Sequence, residues 1–300
     1  MQEMTTETVK YRIDFLKYRY IWLAISIGYL LVGLGAYFVK GGFKYSIDFT
    51  GGAEIRLSFE KQLDTGSLRS VMSAKGFKDA IIQSVGNTNR DFLIRVGSMS
   101  NQTESQIKTA LSEGLADNKV TISGIQWVGS EVGKDTTKNA IIAVLLSMLV
   151  LLFYIAIRFE FRFGVGAVAE LIHDVLALLV FILLFDIPIS LHVLASVLSV
   201  LGYSLHDSIV IFSRIRENFK KIHGVPEYDI VNLSTNQTLK RTILTSFATL
   251  LSVAAMLVLG GESLHGLSLI LFVGIIVGTY SSLYIANPVM LLFKGKKHSS

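Results

Sequence analysis

The sequence predicts an α-helical polytopic membrane protein with six transmembrane helices and one extracytoplasmic α+β domain. The mean hydropathy of +0.53 and the hydrophobic content of 51% exceed the ordinary values for a soluble protein of 300 residues. The apolar residues gather in six runs, and about 20 residues suffice for a helix to cross a hydrocarbon core of about 30 Å. The runs cover residues 20–39, 139–157, 164–185, 189–213, 242–259 and 267–292.

The N-terminal region predicts a short cytoplasmic segment, residues 1–19, followed by transmembrane helix 1 over residues 20–40. Basic residues before an apolar run also occur in secretory signals. However, this run is longer than the ~7–15 residues of a signal core, and the sequence "GAYFVKGG" after it is a poor cleavage site. We therefore expect helix 1 to be a retained anchor.

The placement of Lys and Arg in the short loops predicts the orientation. Basic residues such as Arg158, Arg162 and Arg216 follow the second and fourth runs, and a basic tail, 294–300, follows the sixth. The loops "DIP" and "GGESLHG" contain neither Lys nor Arg. Both termini are therefore expected in the cytoplasm, with helices 2–6 in residues 139–293 and residues 41–138 outside.

The net charge of +5 follows from this topology and gives no indication of nucleic-acid binding. The basic loops are expected to orient the helices and to contact anionic membrane lipids. The chain has no cysteine, which excludes disulfides and thiolate metal sites.

The interval 41–138 predicts a soluble domain with the element order β-α-β-β-α-β. The corresponding segments are "AEIRLSF", "DTGSLRSVMSAKG", "DAIIQSV", "DFLIRVG", "TESQIKTALSEG" and "KVTISGIQWV". This order is typical of a ferredoxin-like fold with two helices on a four-stranded sheet. The segment contains no grouped nucleophile and base and no glycine-rich phosphate loop, so we expect a binding or mechanical role and no enzymatic activity.

The motif "FTGG", which includes Phe49, Gly51 and Gly52, precedes the first strand. Paired glycines allow backbone conformations that other residues resist. The motif is either an ordinary turn into the strand or a hinge or partner contact. Together with "VGSEVG" at the other end of the domain, it would let the domain move as a rigid body.

The third run, "GVGAVAELIHDVLALLVFILLF", contains Glu170, His173 and Asp174. Their spacing of i, i+3 and i+4 places them on one helical face. Each central charge costs about 2.5–3.5 kcal/mol on an insertion scale, so this face is expected to point into the bundle or a wet cavity. Asp174 lies about ten residues from the cytoplasmic end, roughly 15 Å deep, near the midplane.

The fourth run carries a second polar cluster, "GYSLHDS", with His206 and Asp207. This helix runs in the opposite direction, which places Asp207 at a depth similar to that of Glu170. A very short loop joins the two helices. We therefore expect both clusters to approach one interface.

Three interpretations of these ionisable residues are open. They could be polar contacts between helices, or a metal site suggested by Glu170-x-x-His173, although a carboxylate-bridged site needs a second such motif. They could also form an ion or proton relay, because titratable groups at the midplane mark such pathways. The number of residues in two neighbouring helices favours the relay, and no cofactor or metal is expected.

The sixth run contains a small-residue pattern. Gly274, Gly278 and Ser282 recur every four residues, which allows close helix approach. Tyr280 adds a polar group, and Pro288 predicts a kink near the inner end.

Several of these stretches together resemble the SecD/SecF family of protein-export membrane proteins. The stretches are "IDFTGG", "HD" in the third run, "GYSLHDSIVIFSRIRENF", "LTSFATL" and "GTYSSLYIA". The family is similar to the RND exporters, in which two six-helix halves meet around intramembrane charges. The resemblance therefore implies an RND-like half in this chain.

The resemblance also implies a function. It suggests an accessory subunit of the Sec translocase that pairs with SecD and uses the proton motive force to assist late stages of preprotein export. The implied partners are SecD, SecYEG, SecA, YajC and the translocating polypeptide. Asp174 corresponds to the family's aspartate in helix 3, which is associated with proton coupling, whereas Asp207 and Arg214 lie in the helix 4 motif. With Glu170, His173 and His206, these residues form the expected relay.

The sequence departs from the family pattern at three positions. His206 stands where Asn is usual, Ser213 where Asp commonly precedes "RIREN", and Ser46 where Gly precedes "IDFTGG". The first two concern the details of the relay, such as its operating pH or its ion. The alternative functions are an ion-coupled exporter of small molecules or lipids, and a passive membrane scaffold.

Overall fold

The computed structural model describes residues 11–77, 80–85, 88–97, 101–115 and 118–293. The expected tail, 294–300, and residues 1–10 of the expected N-terminal segment lie outside the described residues. The chain divides into two compact units. A membrane unit contains residues 11–44 and 143–293, and a sheet unit contains residues 45–142.

The described elements alternate between long helices and a short α/β segment. In chain order they are α1 (Arg19–Lys40), α2 (Ile47–Thr50), β1 (Gly52–Phe59), α3 (Thr65–Ala74), β2 (Ile81–Val85), β3 (Asp91–Val96), α4 (Asn101–Gly114), β4 (Val120–Val128), α5 (Ser130–Arg158), α6 (Phe161–Leu184), α7 (Leu191–Lys221), α8 (Glu227–Leu259), α9 (Gly261–Ser281), a π-helical turn (Ser282–Ala286) and α10 (Asn287–Leu292).

Within the described residues, six helical segments are long and apolar enough to cross a membrane, as the sequence predicts. They are α1, α5, α6, α7, α8 and the run from α9 to α10. Two of them, α5 and α8, begin about nine or more residues before their apolar runs. Helix α8 starts at Glu227 and α5 at Ser130, because polar residues with good helical spacing continue the helices beyond the apolar stretch. Pro288 occupies the first turn of α10, directly after the π-helical turn.

The core of the membrane unit lies around α6 and α7. Its largest buried side chains include Phe163 and Leu171 on α6 and Phe212 on α7. Glycine allows the helices to approach closely: a Cβ on Gly166 of α6 would lie 2.7 Å from the carbonyl oxygen of Ala286. By contrast, α1, α5 and α8 expose most of their apolar surface, as expected for sides that face lipid or partner helices.

The sheet unit has the ferredoxin-like arrangement that the element order predicts. Its four described strands lie in the order β2-β3-β1-β4, and all neighbouring pairs are antiparallel. The strand predicted from residue 79 begins at Ile81, and residues 78–79 lie outside the described part. One face of the sheet packs with α3 and α4 around Ile55, Ile94 and Ile107, which are fully buried.

The opposite face of the sheet carries a buried ion pair. Glu54 on β1 and Arg95 on β3 are direct cross-strand neighbours. The Nε of Arg95 lies 2.9 Å from Oε2 of Glu54, and their side chains are only 8% and 10% exposed. Removing one partner of a buried pair leaves the other charge uncompensated.

Glu54→Ala should therefore destabilise the sheet unit by about 3–5 kcal/mol. The exposed pair between Lys75 and Glu113 provides a control, because Glu113→Ala should cost at most about 1 kcal/mol. The measurement is urea unfolding of the full chain followed by Trp127 fluorescence in a Trp22→Phe background. Equal losses of unfolding free energy in Glu54→Ala and Glu113→Ala would show that Arg95 is not effectively buried.

The end of α1 is tied to the loop between α6 and α7. Lys40 Nζ donates to the carbonyl oxygens of Leu183 and Leu184 at the end of α6, at 3.1 and 2.9 Å. Asp186 binds Lys44 at 2.9 Å and Lys40 at 3.0 Å. The hydrogen bond from Lys44, assisted by Lys40, holds the pKa of Asp186 below its ordinary value.

A carboxylate whose pKa is lower in the folded than in the unfolded state stabilises the fold above its unfolded pKa of about 3.9 and loses this contribution as the pH falls. Asp186→Asn should therefore lower the thermal midpoint slightly at neutral pH, and the difference from wild type should vanish in acid. The matched control is Asp135→Asn, since Asp135 has no ion pair within the described residues. A wild-type advantage that persists below the folded pKa would contradict this assignment.

Candidate functional site

Helix α6 presents its ionisable residues to the interior of the membrane unit. Glu170 and Asp174 have no exposed surface, and the side chain of His173 is 10% exposed. Their spacing places the two carboxyl groups one turn apart on the same face. The structure thus brings together the three ionisable side chains of α6 that the sequence singles out.

Two serines of α7 lie directly against these carboxyl groups. Ser204 Oγ is 2.7 Å from Oε1 of Glu170 and 2.5 Å from Oδ2 of Asp174. Ser208 Oγ hydrogen-bonds to Oε2 of Glu170. Both hydroxyls belong to the quoted motif "GYSLHDS", although neither is among the residues predicted for the site. Their i, i+4 spacing beside Asp207 is the signal that would have pointed to them.

His173 links this cluster to α1 and α9. Its Nδ1 lies 3.1 Å from Oδ1 of Asp174, and its Nε2 lies 3.1 Å from Oγ of Ser26 on α1. Ser26 is 2.9 Å from the hydroxyl of Tyr280 on α9, which donates to the carbonyl oxygen of Trp22 at 2.9 Å. Ser26 is another site residue that was not predicted, because a lone serine in an apolar run gives no distinct signal.

Asp207 makes its hydrogen bond to a different helix, α8. It is 3% exposed, and its Oδ1 accepts a hydrogen bond from Thr242 of α8 at 3.2 Å. Its Oδ2 is buried and has no hydrogen-bond partner within the described residues. Arg241 and His206 act electrostatically on Asp207, although His206 itself is exposed. Asp207 and Glu170 therefore have different hydrogen-bond partners, Thr242 and the serines, although Asp207 also acts electrostatically on Glu170.

Arg214 does not reach the carboxyl groups. Its Nε donates to Gln237 at 2.6 Å, and its Nη1 binds Glu217 at 2.8 Å. Arg214 follows Asp207 by seven residues, which is about two helical turns or roughly 10 Å. The structure instead places a different cation, Arg241, within electrostatic range of Asp207.

The small residues of the sixth transmembrane segment allow α9 to approach α7 closely. A Cβ on Gly274 would lie 2.2 Å from Cγ2 of Val200, and one on Gly278 would lie 3.0 Å from Cβ of Ser204. Ser282 is fully buried in the π-helical turn, where its hydroxyl donates to the carbonyl oxygen of Thr279. Gly278 thus supports the serine that contacts both buried carboxyl groups.

The "FTGG" motif is packed inside the sheet unit. Gly51 and Gly52 adopt positive φ angles of 70° and 113°, which favour glycine. A Cβ on Gly51 would lie 2.6 Å from Cα of Ser130, and the carbonyl oxygen of Phe49 accepts a hydrogen bond from Thr137 on α5. This packing supports a fixed contact with the start of α5 and not a pivot at these glycines.

The donor set around the site consists of carboxyl, imidazole and hydroxyl groups. Among the described residues, no group of three or more His, Asp or Glu side chains is placed to hold a metal ion. Serine hydroxyls both donate and accept hydrogen bonds, so they can bridge carboxyl groups in either protonation state. Chemically, the arrangement can hold and transfer protons.

The sequence of this chain matches the models of one protein family. Residues 107–296 match the family described as protein export membrane protein SecD/SecF, C-terminal, and residues 37–62 match the SecD/SecF GG motif. The protein translocase subunit SecF of Pseudomonas aeruginosa is 39% identical over 279 residues, which cover 93% of this chain and 90% of that protein. The subunit SecF of Thermodesulfovibrio yellowstonii is 37% identical over 94% of this chain and 95% of its own length.

The fold is also found in a longer protein. The crystal structure of SecDF from Thermus thermophilus, described as a translocon-associated membrane protein, matches 95% of this chain and 39% of that chain with a TM-score of 0.86 and 36% identity. These membrane-protein relatives and the six apolar helices make this chain a multi-pass protein of the inner membrane.

The contact between Gly278 and Ser204 yields a testable prediction. Gly278→Leu should push α9 away from α7 and lower the stability by about 1–3 kcal/mol, as overpacking of a close-packed core does. Gly28→Ala on α1 is the control, because nothing lies within 4 Å of a Cβ at that position. Thermal unfolding in detergent measures both. An unchanged midpoint for Gly278→Leu would contradict the close approach.

Proposed function

Because this chain belongs to the SecD/SecF family of protein-export membrane proteins, we propose that it is the SecF half of a proton-driven complex that assists late stages of preprotein export. The relatives that cover nearly its whole length are protein translocase subunits, and this chain is such a subunit. That activity is the handling of a polypeptide, and it points away from catalysis.

The partner that completes the complex is SecD. The Thermus thermophilus relative is a single SecDF chain, of which this chain covers 36%. The relatives that this chain covers over nearly their whole length are SecF subunits, so the proposal assigns the SecD part to a separate chain. We extend the proposal to SecYEG, SecA and YajC as the translocase components that this pair assists.

The observation that carries the proton-driven mechanism is the buried pair of carboxyl groups on α6. Glu170 and Asp174 are completely removed from solvent and share one serine hydroxyl. Burying an ionised carboxylate in an apolar medium is costly, so a change of protonation there changes the packing energy of the surrounding helices. Each proton that crosses 100 mV releases about 2.3 kcal/mol, which biases a conformational equilibrium roughly fifty-fold.

The orientation follows from the basic loops. We place both termini in the cytoplasm and residues 41–138 outside the bacterial cytoplasmic membrane, because the loops at one side carry the Lys and Arg residues. In this orientation the sheet unit is available to the emerging polypeptide. The proposed relay comprises Asp174, Glu170 and His173, with Asp207, His206 and Arg241 as a second cluster. Arg214, which the sequence motif suggests as a member, contacts neither cluster.

The role proposed for Asp174 can be tested by substitution. Asp174→Asn keeps the shape of the side chain and removes its titration, so it should abolish the part of export that an uncoupler suppresses while leaving the complex with SecD assembled. The measurement is preprotein translocation into inverted vesicles with and without uncoupler, at matched protein levels. Glu217→Gln on the exposed end of α7 is the control. Full uncoupler-sensitive export by the Asp174→Asn complex would show that these residues have only a structural role.

The requirement for SecD can be tested by leaving SecD out. Vesicles that contain SecYEG, SecA and this chain without SecD should show no additional proton-driven export, because the charged interface needs an opposing half. Adding SecD should restore the stimulation. Full stimulation in the absence of SecD would contradict the half-complex.

A further inference from the structure

The hydrogen bonds between α1 and α9 determine the protonation of one histidine nitrogen. The hydroxyl of Tyr280 has a single hydrogen, and the carbonyl oxygen of Trp22 can only accept. Tyr280 therefore donates to Trp22, and Ser26 donates to Tyr280. Since the hydrogen of Ser26 is used in this contact, the contact between Ser26 and His173 requires a hydrogen on Nε2.

The other nitrogen of His173 faces Asp174. A neutral imidazole with a hydrogen on Nε2 has a bare Nδ1, which can only accept. The contact between Nδ1 and Oδ1 of Asp174 then needs a hydrogen from one of two sources. Either Asp174 is a neutral acid that donates to the imidazole, or His173 is an imidazolium that donates to a carboxylate. Both arrangements have the same net charge.

Ser204 requires a second hydrogen in the cluster. Its hydroxyl has one hydrogen but lies within hydrogen-bonding distance of Glu170 and Asp174 at the same time. One of the two carboxyl groups must therefore be protonated and donate to Ser204, while Ser204 donates to the other. Ser208 satisfies the remaining oxygen of Glu170.

The starting point for counting protons is a neutral His173 with two ionised carboxylates. All contacts are satisfied only when Glu170, His173 and Asp174 together carry two more protons than this. The net charge of Glu170, His173 and Asp174 is then zero. Two protons can be distributed over the three side chains in several ways that keep every contact. Removal of one proton leaves one contact without a hydrogen, whichever group loses it.

We propose that the described arrangement is the proton-loaded state of the site, and that Ser204 is a positioning residue that couples proton release to separation of α6 from α7. This inference rests on the proposed proton-driven function. When the carboxyl O–H bond that donates to Ser204 breaks, the proton passes to water, and Ser204 can then bind only one of the two carboxylates. Ser204 is confined by Gly278 of α9, so the helices must change their packing to relieve the repulsion.

Other titratable groups face this site. Asp207 of α7 acts electrostatically on Glu170, Tyr280 contributes from α9, and Tyr29 of α1 donates to the carbonyl oxygen of Ala177 on α6. Since Ser204 alone contacts both carboxyl groups among the described residues, its removal should act on the loaded state without removing a titratable group.

The test is infrared spectroscopy of the full chain with SecD in liposomes, which detects the carbonyl band of a protonated carboxylic acid. At neutral pH the wild type should show a band that is lost in Glu170→Gln or Asp174→Asn. Ser204→Ala should shift or remove this band, because it deletes the bridging hydrogen bond. Ser199→Ala should leave it unchanged, since Ser199 of α7 bonds only to its own helix. Absence of an acid band from both carboxyl groups in the wild type would overturn the proposal.

A second measurement tests the histidine. The ¹⁵N spectrum of labelled protein should show a hydrogen on Nε2 of His173 in the wild type. In Tyr280→Phe, Ser26 is free to donate to Nε2, so the hydrogen should move to Nδ1; Tyr284→Phe is the aromatic control. A bare Nε2 in the wild type would contradict the assignment. Both spectra are recorded without translocation. They can therefore contradict the proton-loaded state while uncoupler-sensitive export is intact, and the reverse.

Discussion

The structure of the membrane unit depends on the cost of placing ionisable groups in an apolar medium. An isolated carboxylate in the bilayer interior would destabilise the fold by several kcal/mol, and hydrogen bonds or protons must offset this cost. Here the offset comes from short hydroxyl side chains on two helices. Ser204 and Ser208 approach from α7 and Ser26 approaches through His173 from α1. The same contacts that make the carboxyl groups tolerable also make the packing sensitive to protonation.

Close helix packing is the second requirement, and it follows from the first. A hydroxyl group is short, so α6 and α7 must lie close together for Ser204 to reach two carboxyl groups. Gly278 allows α9 to lie directly behind Ser204, which limits where this side chain can move. A change of charge at α6 would thereby reach two further helices by contact alone. This is the physical link between a proton and a conformational change that the proposed function needs.

The spans and the sheet follow from the sequence, whereas the partners inside the site do not. Hydropathy over about 20 residues and the alternation of short elements are local signals, and both identify their elements correctly. The roles of Ser204 and Ser26 depend on which helices become neighbours, and serine is common in membrane helices for many reasons. Arg214 shows the reverse error: its motif suggests the relay, yet its contacts lie with Gln237 and Glu217. The "FTGG" motif leaves a turn, a hinge and a contact open, and Gly51 is packed against Ser130.

The proposed function requires that protons pass through the α6 cluster while a polypeptide is exported. The most direct measurement is proton movement across vesicles that contain SecYEG, SecA, SecD and this chain, followed with an enclosed pH-sensitive dye during preprotein translocation. Proton movement should accompany translocation in the wild type and should be lost in Asp174→Asn at equal assembly of the complex. Equal proton movement in both complexes would contradict this requirement.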